Sequence, residues 1–302
     1  MVDYFWLDKQ RNSNQRDLVK YIEKSNSDST GTWIVSFPIS ATGSDTLYFR
    51  AVATKDSLQS SEASVAFTPK LKICLVTIKD DAGVGSLREA IDKANLNQCN
   101  LIQFAILGLG VAEIRTASEL PAIITPLLII DGTSQSGYSK GSPTVDLINT
   151  VVTGFNGFNG QNGKQLDIYG MKITNFNVGI NILNGKIVNT NDNIIANATD
   201  IGIKITTTGF IYGNIINNSI KSQTPYNTGI SLDGTAKMTI DNNSISDFST
   251  TGISAKGNNQ KITNNTFVSS NNTTSAGIAV TASSSMFIEG DTILNAGFGV
   301  TV

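Results

Sequence analysis

Gly229-Ile230-Ser231-Leu232 is one copy of a pattern, glycine, apolar, variable, apolar, that occurs six times between about Gly170 and Val302. The six glycines are Gly179, Gly202, Gly229, Gly252, Gly277 and Gly299, at intervals of 23, 27, 23, 25 and 22 residues. A second pattern precedes each copy: a small polar pair, a variable residue and an apolar residue, as in Asn242-Asn243-Ser244-Ile245. A period of this length without helical periodicity is typical of a solenoid in which each repeat is one coil.

Each coil is predicted to contain short strands joined by an Asn-rich bend and a loop. Because side chains alternate faces along a strand, Ile230 and Leu232 are expected to point inward and Ser231 outward. Aligning the coils places four amides above one another at the same bend, namely Asn193, Asn218, Asn243 and Asn265. Asn tolerates the left-handed backbone region at such a bend. We therefore predict a structural ladder in which these amides hydrogen-bond from coil to coil.

Composition and charge exclude several classes of protein. The 302 residues include 22 basic and 24 acidic ones, and the basic residues form no stripe that would bind nucleic acid. The longest mainly apolar run, 120–130, contains two prolines and is too short to cross a bilayer. The first 20 residues lack the apolar core of a signal peptide, which leaves either a cytoplasmic protein or an internal piece of a longer exported chain.

Residues 1–70 are predicted to form a separate domain of short strands. The expected strands are Val2 to Leu7, Leu18 to Glu23, Thr32 to Phe37, Leu47 to Ala53 and Ala63 to Phe67. This spacing indicates a small all-β, immunoglobulin-like sandwich, although five strands are fewer than the usual seven. We expect that the domain is incomplete because Met1 lies inside a longer chain, or that a neighbouring polypeptide supplies an edge strand.

Residues 71–302 are predicted to be the solenoid, beginning with a helix over about 86–97. Ser86 and Glu89 form the capping-box pattern, and Leu87, Ile91 and Ala94 line one helical face. An amphipathic helix before the first coil would cap the open end. Cys74 and Cys99 flank this helix, so we expect them to lie close together, either as a disulfide or as two buried thiols.

Two segments also resemble known families. Residues 76–91, VTIKDDAGVGSLREAI, followed by LIQFAI at 101–106 and ELPAIITPLLIIDGTSQSGYS at 119–139, are similar to the opening of pectin-lyase-like right-handed parallel β-helix domains. Residues 27–64 resemble the end of the immunoglobulin-like repeats that precede β-helix domains in large bacterial surface proteins. The resemblance implies an all-β, right-handed parallel β-helix in an extracellular bacterial setting, and it carries over no catalytic residue.

Histidine is absent from the sequence, which removes His-based metal sites and the commonest general base. The resemblance does include carbohydrate lyases and hydrolases that use clustered Asp, Lys or Arg, often with Ca²⁺. The carboxylates to consider are Asp131, Asp167, Asp192, Asp241, Asp247, Glu289 and Asp291. Asp241 and Glu289 align in one column with Thr263 between them, about 9 to 10 Å apart, which fits an inverting pair. We expect ordinary surface carboxylates instead, because no basic residue aligns with them, and the sequence indicates neither a metal site nor a cofactor.

Three functions are therefore open. The first is a non-catalytic structural or adhesive module of a bacterial cell-surface or secreted protein, whose rod presents a polar surface to a glycan or a surface protein. The second is a carbohydrate-active enzyme, which a column of acidic and basic groups within about 6 Å would favour. The third is a filament subunit that associates end to end, since Val302 falls in the last strand of a coil.

Overall fold

The structure is a computed structural model that describes most of the chain. In the first part it describes the backbone of residues 2–12, 15–26, 47–55 and 59–60, and in the second part it describes residues 71–302 apart from 152–153, 164, 210, 235, 258–259, 272 and 282–285. The chain divides into two compact units, Met1–Lys70 and Leu71–Val302.

The first unit contains an antiparallel sheet. Its strands are β1 (Val2–Asn12), β2 (Gln15–Asn26), β3 (Leu47–Lys55) and β4 (Gln59–Ser60), in the order β2-β1-β3-β4. The strands expected at 32–37 and 63–67 lie outside the described residues. An immunoglobulin-like sandwich requires a second sheet packed on the first, so that assignment stays a prediction.

The second unit is built from short strands and one α-helix among its described residues. The chain first forms β5 (Ile73–Val76), α1 (Leu87–Asn95), β6 (Leu101–Phe104), β7 (Ala112–Thr116), β8 (Leu127–Asp131), a 3₁₀ turn (Gly132–Ser134) and β9 (Val145–Asn149). It continues with β10 (Asn156–Gln161), β11 (Gln165–Tyr169), β12 (Lys172–Thr174), β13 (Val178–Leu183), β14 (Ile187–Asn191), β15 (Ile194–Ala196), β16 (Ile201–Thr206), β17 (Ile211–Ile216) and β18 (Ser219–Lys221). The last strands are β19 (Tyr226–Asp233), β20 (Ala236–Asp241), β21 (Ser244–Lys256), β22 (Gln260–Thr263), β23 (Thr266–Ser269), β24 (Ala276–Thr281), β25 (Met286–Glu289), β26 (Thr292–Leu294) and β27 (Phe298–Thr301).

These strands stack in three parallel rows, which we number by their order within a coil. Row 1 contains β5, β6, β8, β11, β14, β17, β20, β22 and β25. Row 2 contains β7, β9, β12, β15, β18, the start of β21, β23 and β26, and row 3 contains β10, β13, β16, β19, the end of β21, β24 and β27. The unit is a parallel β-solenoid of about nine turns. The all-β solenoid fold predicted from the repeat is therefore confirmed.

One continuous apolar core runs along the inside of the coils. Ile230 and Leu232 are 0% and 2% exposed, whereas Ser231 between them is half-buried on the outer face. The residue two positions before the polar pair is also fully buried at Ile168, Ile215, Ile240 and Ile262, whereas Ile288 is partly buried. The alternation in the sequence thus corresponds to alternation across the wall of the coil.

The repeated glycine is explained by a close contact in row 3. A Cβ atom added to Gly202 would lie 2.5 Å from Cγ2 of Ile220 and 2.6 Å from the carbonyl oxygen of Gly229 in the next coil. Ile220 is the apolar residue of the following polar-pair pattern, so the two sequence patterns pack against each other. Equivalent apolar contacts occur at Gly157 with Ile173, Gly179 with Ile195, Gly229 with Ile245, Gly252 with Phe267 and Gly277 with Ile293.

The helix α1 begins where the capping pattern indicates. The Ser86 side chain accepts a hydrogen bond from the backbone N–H of Glu89, while the Glu89 carboxylate accepts from the N–H of Gly85 rather than from that of Ser86. The residues Leu87, Ala90, Ile91 and Ala94 are buried and belong to the solenoid core. Arg88 joins the helix to the segment before it through Asp81 and to a later segment through the carbonyl of Glu119. The role of α1 as a cap stays a prediction.

Cys74 and Cys99 form a disulfide on either side of this helix. Their Cα atoms are 5.7 Å apart, and both side chains are buried. Cys74 lies in β5, and Cys99 lies just before β6, which pairs with β5. The bridge closes the segment that contains α1, so the start of the solenoid is fixed covalently.

The glycine contact predicts a steep cost for one added methyl group. We expect Gly202→Ala to lower the free energy of unfolding by about 1 to 3 kcal/mol, because the new Cβ meets Ile220 and a backbone oxygen that belongs to the stacked coil. Gly209→Ala is the matched control, since no heavy atom lies within 4 Å of its added Cβ. Urea denaturation of both variants measures the difference. Equal stabilities would contradict the proposed packing.

Candidate functional site

The polar bend between rows 1 and 2 contains a buried ladder of amides. Asn193, Asn218, Asn243 and Asn265 are each at most 2% exposed. The Oδ1 atom of Asn218 accepts from both the backbone N–H and the Nδ2 of Asn193, each at 3.1 Å, and Asn243 and Asn265 repeat this toward the preceding coil. Each Nδ2 also donates to a row 1 carbonyl, at Ile168, Thr190, Ile215 and Ile240 in turn. All four amides have a structural role in holding successive coils together.

The left-handed backbone lies one residue earlier than the sequence analysis placed it. The first member of each polar pair has positive φ, with values of 57° at Asp192, 57° at Asn217, 53° at Asn242 and 57° at Asn264. The looser pairs use Gly170 and Gly290 at the same place. The expectation that the ladder amides themselves occupy this region was wrong. The two residues of the pair therefore have different roles. The first adopts the left-handed backbone that reverses the chain direction at the bend, and the second points its side chain inward.

Asp291 continues the ladder as a carboxylate. Its Oδ1 accepts from the N–H and the Nδ2 of Asn265, at 2.7 and 2.9 Å. Its Oδ2 is buried and has no hydrogen-bond partner among the described residues. In the strand register, Ile262 is equivalent to Ile240, whose carbonyl accepts from Nδ2 of Asn265. An ionised carboxylate at position 291 has no proton to donate to such a carbonyl. Burial raises the pKa of Asp291, and the charge of Asp241 adds to this, while the bonds from Asn265 oppose it.

Asp241 and Glu289 lie in the column that the sequence predicted. Thr263 separates them in the register of row 1. The Asp241 carboxylate accepts from the Thr263 hydroxyl at 2.6 Å and from the Asn264 amide at 2.9 Å. Glu289 is exposed, and no basic residue occupies this column in the described strands from β8 to β25. The arrangement gives one carboxylate a bond to the next coil and leaves the other in solvent.

Asp167 has the strongest electrostatic perturbation among these carboxylates. It lies on the outer side of row 1 but is only 3% exposed, and it accepts hydrogen bonds of 2.7 Å from Asn189 and Gln165. Burial raises its pKa to about 6, while hydrogen bonds from Asn189, Gln165 and Tyr169 act against that rise. Burial and the Asp167 charge raise the pKa of Tyr169. Perturbed groups often mark active sites, but this carboxylate is already bonded and is hidden from any large substrate.

A columnar ion pair lies on row 2, and the sequence analysis did not identify it. The Asp146 carboxylate bonds Nζ of Lys172 at 2.6 Å through Oδ2 and the Thr174 hydroxyl at 2.7 Å through Oδ1. Glu113 precedes Asp146 in the column and pairs with Arg115 at 2.7 Å. Aligning the early coils would have found it, because Glu113, Asp146 and Lys172 share one register position. The Asp146 side chain is 4% exposed, so the pair primarily joins two coils.

An open groove lies beside the turns that lead from row 2 to row 3. It has a volume of about 440 Å³ and is lined by four successive coils. We call it the amide groove. Its lining residues are Asn149, Thr150, Val151, Gly154, Asn175, Asn177, Asn197, Thr199, Gln223 and Thr224. None of the described lining residues is ionisable.

The described part of the chain contains neither a group of metal ligands nor a helix that could span a bilayer. Within it, no three side chains of His, Cys, Asp or Glu are grouped so that they could hold a metal ion. No described helix has the length and apolar character needed to span a bilayer.

Comparison with known proteins agrees with the fold. The family model for the right-handed β-helix region matches residues 208–302. Together with the parallel solenoid, this match supports a right-handed parallel β-helix domain. No curated protein matches the chain. The pectin-lyase-like resemblance of the opening segment stays a prediction.

The ladder predicts that inward and outward substitutions differ in cost. We expect Asn243→Leu to lower the free energy of unfolding by about 1 to 3 kcal/mol, because its buried partners lose their hydrogen bonds. Ser231→Ala on the outer face should change it by less than about 0.5 kcal/mol. Chemical denaturation of the two variants tests this, and equal effects would contradict the assigned facing.

Asp291→Asn is expected to stabilise the protein at neutral pH. The new Nδ2 would donate to the Ile262 carbonyl, as Asn265 does to Ile240, and a buried unpaired oxygen would disappear. The gain should be about 1 kcal/mol. Asn265→Asp is the reverse control and should destabilise. Thermal denaturation at neutral pH measures both, and a loss of stability in Asp291→Asn would show that the carboxylate has another role.

The raised pKa of Asp167 predicts that the free energy of unfolding falls as the pH rises. The folded protein holds this proton up to about pH 6, whereas the ordinary pKa is 3.8. Between these pH values the folded state binds more protons than the unfolded state. The stabilisation that protonated Asp167 gives below about pH 4 is therefore lost as the pH rises through 6. The free energy of unfolding should fall by an amount on the order of 3 kcal/mol. Asp167→Asn should remove this dependence, and Asp233→Asn, an exposed carboxylate, should not. A constant stability difference between wild type and Asp167→Asn across this range would refute the assignment.

Proposed function

We propose that the chain is a non-catalytic structural and adhesive module of a bacterial cell-surface or secreted protein. In this proposal an immunoglobulin-like unit precedes a rigid β-helical rod, and the rod presents a polar surface to a glycan or a surface protein without a cofactor. The match to the right-handed β-helix region is compatible with cell-surface and enzymatic proteins. The choice between those roles therefore depends on the chemistry of the outer face.

The outer columns carry hydroxyls at a regular spacing. In row 2, Ser219, Ser244, Thr266 and Thr292 share one register position. In row 3, Ser231 and Ser254 do the same. Strand spacing puts neighbouring members about 4.8 Å apart. Such columns suit weak, repeated hydrogen bonds to an extended partner, whereas bond cleavage requires charge directed at one point.

The carboxylates support the same conclusion, and this observation carries the proposal. Asp146, Asp167, Asp241 and Asp291 each accept hydrogen bonds from a neighbouring coil. The oxygens that accept these bonds join neighbouring coils. The disulfide between Cys74 and Cys99 is consistent with an oxidising, extracellular location.

A carbohydrate-active enzyme is the second candidate, and one observation favours it. Asp146 and Lys172 form a columnar acidic and basic pair, with Glu113 and Arg115 beside them. Since Asp146 already bonds Lys172 and Thr174 through both oxygens, a catalytic role would require it to leave those partners.

Turnover assays distinguish the two candidates. We expect the purified chain to release no product from pectin, alginate or related polysaccharides and to bind whole cells or glycan arrays equally with and without Ca²⁺. The adhesive proposal would fail if cleavage occurred and either Asp241→Asn with Glu289→Gln or Asp146→Asn abolished it in a folded protein. Gly209→Ala serves as the control for each variant, because no heavy atom lies within 4 Å of its added Cβ.

A further inference from the structure

The amide groove runs parallel to the solenoid axis. Its lining repeats from coil to coil, with Asn149, Asn175, Asn197 and Gln223 at successive levels. Strand spacing of about 4.8 Å per coil gives these four levels a length of about 14 Å. The groove therefore suits an extended ligand that lies across several coils.

Hydrogen bonds within the groove orient several of its amides. Asn197 donates to Oδ1 of Asn175 at 3.2 Å, and the Oδ1 of Asn197 accepts from the N–H of Gln223 at 3.0 Å. The Asn177 Oδ1 accepts from the Thr199 hydroxyl at 3.1 Å. These contacts fix the side chains before any ligand binds, which lowers the entropic cost of binding.

Other polar groups in the groove are unused by the protein itself. Among the described residues, the side-chain amide of Gln223, the hydroxyl of Thr224 and the Nδ2 of Asn177 have no hydrogen-bond partner. Gln223 and Thr224 are both exposed. An amide offers donors and an acceptor together, and a hydroxyl offers both as well. A ligand rich in neutral groups that donate and accept would match this set.

The absence of charge in the lining narrows the ligand class. An anionic polysaccharide or a nucleic acid needs cationic partners, and the lining has none. The nearest charged residues along the chain, Asp200 and Lys221, have opposite signs and lie outside the lining. Val151 is the only large apolar side chain in the described lining, so a peptide would find few anchors. The adjoining row 3 strands β13, β16 and β19 are paired on both sides, which leaves no edge for strand addition.

We propose that the amide groove binds an extended, uncharged glycan that lies parallel to the solenoid axis. Sugar hydroxyls would bond the free groups of Gln223, Thr224 and Asn177 while the amides of Asn175 and Asn197 stay fixed by the protein. This inference rests on the adhesive function proposed above and identifies its ligand class and binding surface.

Titration of the full chain with soluble oligosaccharides tests the inference. The probes are neutral gluco-, xylo-, manno- and galacto-oligosaccharides, with oligogalacturonate as the charged counterpart, and binding is followed by calorimetry and by backbone amide shifts in NMR spectra. We expect at least one neutral probe to bind, with shifts confined to the groove, and oligogalacturonate to bind at least about tenfold more weakly. Gln223→Ala with Thr224→Ala should weaken neutral binding by about tenfold, which corresponds to one or two hydrogen bonds.

Two matched variants keep the result interpretable. Thr199→Arg should block the groove and weaken binding without disturbing the core, because Thr199 is exposed. Gly209→Ala should leave binding unchanged, because Gly209 lies between β16 and β17, outside the groove lining, and no heavy atom lies within 4 Å of its added Cβ. The inference is overturned if no neutral probe binds, if only oligogalacturonate binds, or if the shifts lie outside the groove.

Failure of the groove inference is distinguishable from failure of the adhesive function. Retained binding to cells by the Gln223→Ala, Thr224→Ala protein would overturn the groove inference and leave adhesion intact. Retained cell binding with protease-sensitive partners would point to a protein ligand and would also overturn it. Cleavage of a neutral oligosaccharide held in the groove would overturn the non-catalytic proposal while supporting the groove as the binding surface.

Discussion

The contact between the repeated glycine and the aliphatic side chain that faces it is the constraint on which the solenoid depends. At Gly202 the backbone approaches both Ile220 and the carbonyl of Gly229 so closely that no side chain fits. Rows 2 and 3 of a coil meet the next coil at this point. The same contact recurs at Gly157, Gly179, Gly229, Gly252 and Gly277, so six successive coils share it.

The amide ladder stabilises the bend between rows 1 and 2 of the coil. The four ladder amides, from Asn193 to Asn265, form hydrogen bonds with buried backbone groups that the bend would otherwise leave unpaired. Glycine allows a close approach at one turn of the coil and asparagine supplies hydrogen bonds at another, where Asp192 and Asp291 also lie. Most acidic groups of the described coils are then drawn into bonds between neighbours, as at Asp146 and Asp167. The described residues that line the amide groove are uncharged as well.

The sequence alone predicted most of the fold because its two patterns mark two of the three turns in each regular coil. Periodicity predicts the inward facing of Ile230 and Leu232 and the shared column of Asp241 and Glu289. Capping chemistry predicts the helix start at Ser86. The Asp146 and Lys172 pair was missed because it precedes the coils in which the repeat is regular, and only register reveals it. The amide groove was missed because turns of unequal length place its residues at no fixed spacing. The positive φ was assigned to the wrong member of each pair because both members are small and polar.

The parallel register also determines what kind of change the solenoid tolerates. Each strand pairs with the equivalent strand of the coil before and the coil after, as Ile203 does with Ile180 and Ile230. Neighbouring coils therefore present the same interface on both sides, and the coil is the unit of variation. Duplicating or deleting a whole coil would change the length by about 4.8 Å while leaving the joints between coils chemically alike. Inserting part of a coil would shift Gly202 away from Ile220, so length in such a protein changes in whole steps.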